Sequence, residues 1–133
     1  LANAGSEMAL WALGLHIGGF TDWFIPSQDE LEILYRNLKP TTETNSLYAR
    51  SGINVSAVPP TFGYSKELPV QTDAPDFAAG GAQAFADEWY WSSTQHAAYA
   101  DCAWFQVFSN GNQHDDNNSA SLRARAVRRL IIS

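Results

Sequence analysis

A run of chain breakers fills the middle of this sequence and limits what the rest can become. Between residues 40 and 87, Pro59-Pro60, Gly63, Pro69, Pro75 and Gly80-Gly81 recur too often for a long helix or strand to cross. The stretch is rich in Ser and Thr and only weakly periodic, so regular structure must gather on either side of it. An irregular segment this long inside a compact domain is unusual and is often functional. An inserted packing flap and a binding element are both open readings of it. At 133 residues, with 45% hydrophobic and 13% aromatic side chains, the chain is long and apolar enough for one domain with its own core.

Ahead of the breakers the pattern is helical. Ser6 to Leu15 carries Met8, Leu10, Trp11 and Leu15 at helical spacing, with Ser6 as a cap and Gly14 then Gly18-Gly19 as stops. Trp23-Phe24-Ile25 reads as a short buried extended piece ended by Pro26. Ser27-Gln28-Asp29-Glu30 is a capping box, and Leu31, Leu34, Tyr35 and Leu38 then form one apolar stripe closed by Lys39-Pro40.

Behind the breakers the pattern is β. Trp89 to Ser92 and Ala103 to Phe108 are strand-like, Asn110-Gly111 is a hairpin turn, a strand returns over Asn112 to His114, and Ala124 to Ile132 forms a last one. In the second strand Trp104, Gln106 and Phe108 share one face, while Ala103, Phe105 and Val107 share the other. Both faces are apolar, so the strand is either buried on both sides or exposes an interaction patch. The C-terminal Arg123, Arg125, Arg128 and Arg129 read either as an anion site or as a solvated flank paired with acidic helix residues.

Several chemistries are excluded. A net charge of -6 argues against a nucleic-acid partner, and no apolar run is long enough to insert in a membrane as a spanning helix. Cys102 is the single cysteine, so there is no internal disulfide, and no cationic neighbour in sequence would stabilise its thiolate. His96, Asp101, His114, Asp115 and Asp116 fit no zinc spacing, and residues 114 to 118 lack the acid alternation of a calcium loop, so neither metal nor cofactor is expected. There is no Gly-x-Ser-x-Gly elbow, Walker A loop or dinucleotide fingerprint, and no catalytic residue is assigned. The opening Leu1-Ala2-Asn3-Ala4-Gly5 has neither an initiator Met nor a basic segment before its apolar part; the chain reads as the C-terminal part of something longer.

Gly18-Gly19-Phe20-Thr21-Asp22-Trp23-Phe24-Ile25-Pro26-Ser27, Tyr90-Trp91-Ser92-Ser93-Thr94, Ala103-Trp104, Phe108-Ser109-Asn110-Gly111 and Arg125-Ala126-Val127-Arg128 together resemble the DUF1566 group. These are C-type-lectin-fold domains of phage and bacterial proteins. The resemblance implies an α+β fold with two helices, a small mainly antiparallel sheet and the 40–87 segment as an insertion. The calcium-coordinating motifs of sugar-binding C-type lectins are absent, as is the cysteine pair of the formylglycine-generating enzymes that share the fold. A non-enzymatic domain is therefore expected.

Within that group the tail is similar to the variable proteins of diversity-generating retroelements. There, template adenines are randomised, and Asn codons give rise to a restricted residue set without Lys, Glu, Gln, Met or Trp. His96 to Cys102, Phe105, Val107 and His114 to Ser121 all fall in that set, and no Lys, Glu or Met follows Glu88. The resemblance thus implies variable ligand-binding positions at His96, Ala98, Tyr99, Asp101, Cys102, Phe105, Val107, His114, Asp115, Asp116, Asn117, Asn118 and Ser119. Trp104, Gln106 and Phe108 would be fixed framework. It also implies receptor binding by a phage or prophage tail protein, on the virion or at a cell surface. The partners would be a protein or glycan on a bacterial cell and other virion or tail proteins; the phage example of the family is trimeric, so a homotrimer is expected. The rival reading is a structural lectin-fold domain that binds no receptor.

Overall fold

The computed structural model describes residues 4–117 and 119–129. Two helices precede the irregular segment and a three-stranded antiparallel sheet follows it, in an α+β arrangement. Helix α1 spans Ala4–Leu13, shifted towards the N-terminus from the expected Ser6 to Leu15, and its end is closed by the Gly14 N–H on the Leu10 carbonyl at 3.1 Å. Helix α2 spans Gln28–Leu38 and starts at the expected capping box: the Glu30 N–H donates to Ser27 Oγ (3.2 Å) and the Ser27 N–H donates to Glu30 Oε1 (3.0 Å). Such a cap stabilises a helix by about 1 kcal/mol.

Strands β1 (Trp89–Gln95), β2 (Cys102–Val107) and β3 (Gln113–Asn117) lie in that order. The register pairs Tyr90 with Gln106 and Trp91 with Phe105 across β1 and β2. It pairs Trp104 with Asp115 and Phe105 with His114 across β2 and β3. The turn between β2 and β3 depends on Gly111, whose φ is +78°; a Cβ there would collide with the Tyr35 and Tyr64 rings.

Both sides of the sheet are packed. Tyr90 belongs to a cluster with Leu31, Tyr35, Tyr64, Phe85 and Phe108, which joins the sheet to α2. Trp91, Ala103, Phe105 and Val107 form a second cluster, covered by Met8 of α1 and by Ala120 and Leu122. Of the two readings of β2, burial on both sides therefore holds from Phe105 to Val107, while Cys102 and Trp104 at the other end are half-buried. Phe105 is 4% exposed and Val107 is 6% exposed, so neither stands on an open face, contrary to expectation. The Trp89 ring stacks on Phe105 at 4.7 Å and 6°, closing what remains.

The 40–87 segment contains no helix or strand, yet it is tied to the core by side chains. The buried Asn45 accepts from the Tyr35 hydroxyl (2.6 Å) and from Lys39 Nζ (2.9 Å), and its own amide donates to the Pro69 carbonyl (3.0 Å). Burial of Lys39 lowers its pKa, with Glu43 opposing. The buried carboxylate of Glu32 is held by Arg36 at 2.8 Å and by the Asn54 amide at 3.1 Å. These bonds replace the missing ladders and satisfy polar groups that burial would otherwise leave unpaired.

The expected last strand over Ala124 to Ile132 is not present among the described residues; residues 130–133 lie outside them. Instead the segment touches β1 at Arg123, then leaves it and pairs with the N-terminal part of the chain at Phe24 and Val127, with reciprocal 2.8 Å bonds. The arginines account for the departure. Arg125 turns to the Gln83 and Ala84 carbonyls, Arg128 to Asp22, and Arg129 to Glu30.

Candidate functional site

Residue alternation along β2 decides where side chains can meet a ligand. Directly paired residues of antiparallel strands share a face, so Cys102, Trp104 and Gln106 stand with Asn117, Asp115 and Gln113. At one end of this face Gln106 and Gln113 are buried, joined to each other at 3.1 Å, to the Tyr64 hydroxyl and to the Gln28 carbonyl at the start of α2. At the other end the cover stops. Trp104, Cys102 and Asp115 are half-buried and Asn117 is exposed.

Trp104 is the centre of the open end. The His96 ring from the β1–β2 loop stacks on it at 5.4 Å and 15°, and Tyr99 leans on His96 at 5.0 Å. The Ala98 N–H donates to His96 Nδ1, so in the neutral ring the proton sits on Nε2. The Arg50 guanidinium lies 5.8 Å from the Trp104 ring centre, within cation–π range. Arg50 is fixed there by Asp29 (2.7 Å), Gln113 Oε1 (3.0 Å) and the Ile53 carbonyl (2.7 Å). Asn117 donates to Asp101 at 3.2 Å across the mouth, bracing the loop against β3. Desolvation raises the pKa of the Cys102 thiol, and the Asp101, Asp115 and Asp116 carboxylates add to the effect. The thiol therefore stays protonated near neutral pH and is a poor nucleophile.

His96, Tyr99, Asp101, Cys102, Asp115 and Asn117 thus come together around Trp104, while Ala98 and Ser119 are exposed on the flanking loops. His114 and Asp116 face the other way. His114 stacks on exposed Tyr48 at 5.6 Å and 10° and meets Asp115 Oδ1 at 3.2 Å. Phe105 and Val107 belong to the core, and Asn118 lies outside the described residues. Trp104, expected as framework, is part of the site. Sequence reasoning also missed Arg50 and Tyr48, which come from the irregular segment. Arg50 finds Gln113 at a separation of 63 residues, a pairing with no local signal. Among the described residues no three His, Cys, Asp or Glu side chains converge as a metal site.

An aromatic strip edged by carboxylates, an amide and one fixed guanidinium is chemically suited to holding a ligand by stacking and hydrogen bonds. The family model described as the Lcl C-terminal domain matches residues 3–128, and the chain belongs to that family. The family is DUF1566-like, so the motif resemblance holds at that level. No curated protein and no solved structure matches the chain.

Proposed function

With that membership as the premise, we propose that this is a ligand-recognition domain with a C-type lectin fold, of the diversified kind made by retroelements, and not an enzyme. The single observation that carries the reading is the open end of the sheet. There His96, Tyr99, Asp101, Cys102, Asp115 and Asn117 surround Trp104 without entering either core cluster. The residues underneath them hold the frame, so those above can change with little effect on folding. All six belong to the set that randomised Asn codons reach, whereas Trp104 does not; it is the fixed centre of a variable rim. Tyr99 and Trp104 supply rigid aromatic contact area and the carboxylates and amide supply adaptable hydrogen bonds, a division also seen in antibody paratopes.

The ligand on this reading is a protein or glycan of a bacterial cell surface, and the carrier is a phage or prophage tail protein or a surface protein, acting alongside other tail proteins. Assembly as a homotrimer would let several weak sites act together. Sequencing the DNA around the gene tests the proposal. It predicts a nearby imperfect repeat of the 3′ end, differing at adenines in the codons of the rim residues, beside a reverse transcriptase. A neighbourhood with neither would leave the structural-domain reading in its place.

A further inference from the structure

We propose a second binding site, independent of the Trp104 face, for a small amphipathic anion: a free alkyl or aryl carboxylate. The site is the cleft between α1, α2 and the C-terminal segment, with a volume of about 560 Å³. That is within the roughly 300–1,000 Å³ typical of small-molecule pockets. Its walls are Trp11, Trp23, Leu34, Leu38, Phe77 and Phe85, an aromatic and aliphatic lining suited to an apolar body.

Arg125 supplies the anionic preference. Its guanidinium lies 4.2 Å from the centre of the Phe85 ring and is held in place by the Gln83 carbonyl (2.9 Å) and the Ala84 carbonyl (3.2 Å). Both acceptors are neutral. Among the described residues Arg36, Arg50, Arg128 and Arg129 each have a carboxylate partner. Arg123 has none, but it is exposed to water. Arg125 is thus a partly buried cation held by neutral acceptors and, among the described residues, without a carboxylate partner, on the wall of an apolar cleft. A cation so placed favours an anion, because its lost hydration is only partly replaced by neutral acceptors. A carboxylate on an apolar tail would use both features together.

The test is titration of the ¹⁵N-labelled domain with decanoate, following the Trp11 and Trp23 indole N–H signals, with decanol and acetate as controls. Decanoate is expected to shift both signals at concentrations where acetate does nothing, and to bind more tightly than decanol. Arg125→Gln should weaken decanoate roughly tenfold and leave decanol unchanged, the loss expected for one charge-assisted interaction. Gln83→Glu, at an exposed position beside Arg125, supplies an internal counter-charge and should weaken decanoate in the same way without disturbing the fold. Equal affinity for decanoate and decanol overturns the proposal. So does the absence of shifts at both indoles, or shifts confined to Trp104.

Discussion

Trp104 and Phe105 are adjacent in the chain, similar in chemistry and opposite in role. Phe105 points into a cluster closed by α1, Leu122 and the Trp89 ring, while Trp104 points beyond the end of its cover, where His96 stacks on it and Arg50 lies within cation–π range. One strand therefore serves two purposes by alternation alone. The difference shows that in this sheet an aromatic residue's part in stability depends on what lies above it, not on its size.

The largest effect that could break this comparison is at Phe105. Phe105→Ala should cost about 3–5 kcal/mol in urea unfolding, because the covered site cannot collapse around the loss. A cost near zero would mean that this face is open after all. Gly111→Ala should follow at several kcal/mol, from the +78° φ and the Tyr35 and Tyr64 rings that stand where the methyl group would go. Ser27→Ala removes the α2 cap and should cost about 1 kcal/mol in the same assay. Trp104→Ala and Tyr99→Ala should each change stability by less than about 1 kcal/mol while abolishing recognition of the natural ligand. If Trp104→Ala unfolds the domain, the contrast between the two neighbours disappears. The smallest effect is acid dependence at Asp22, whose pKa is lowered, chiefly by its hydrogen bond from Arg128. Its contribution is complete above the ordinary Asp pKa and fades as pH falls through the depressed value. Asp22→Asn should therefore flatten the stability profile only in that acid range, as read by thermal unfolding at stepped pH.

What the sequence revealed and what it hid follow the range of the interactions. Helix α2 was legible because its signals are local: a capping box and a stripe between Ser27 and Leu38. Three of the expected strands, β1 to β3, and the Asn110-Gly111 turn were legible for the same reason. The direction of β2 was not, since both of its faces carry apolar residues and period-two alternation cannot choose between them. The expected last strand failed because the arginines that would have flanked it bind carbonyls and carboxylates far off in the chain. The breaker-rich segment told least. Its order comes from side chains such as Asn45 and Asn54, whose partners no periodicity announces.

The clasp that joins Phe24 to Val127 has a mechanical consequence. Two backbone bonds at 2.8 Å, the Arg128–Asp22 pair and the Arg129–Glu30 pair fasten the late part of the chain to its early part, with Arg128 and Arg129 lying over Phe20 and Phe24. Tension drawn along the chain from beyond Arg129 reaches this fastening before it reaches any strand. The sheet and the Trp104 rim would therefore stay unstrained until the fastening gives way.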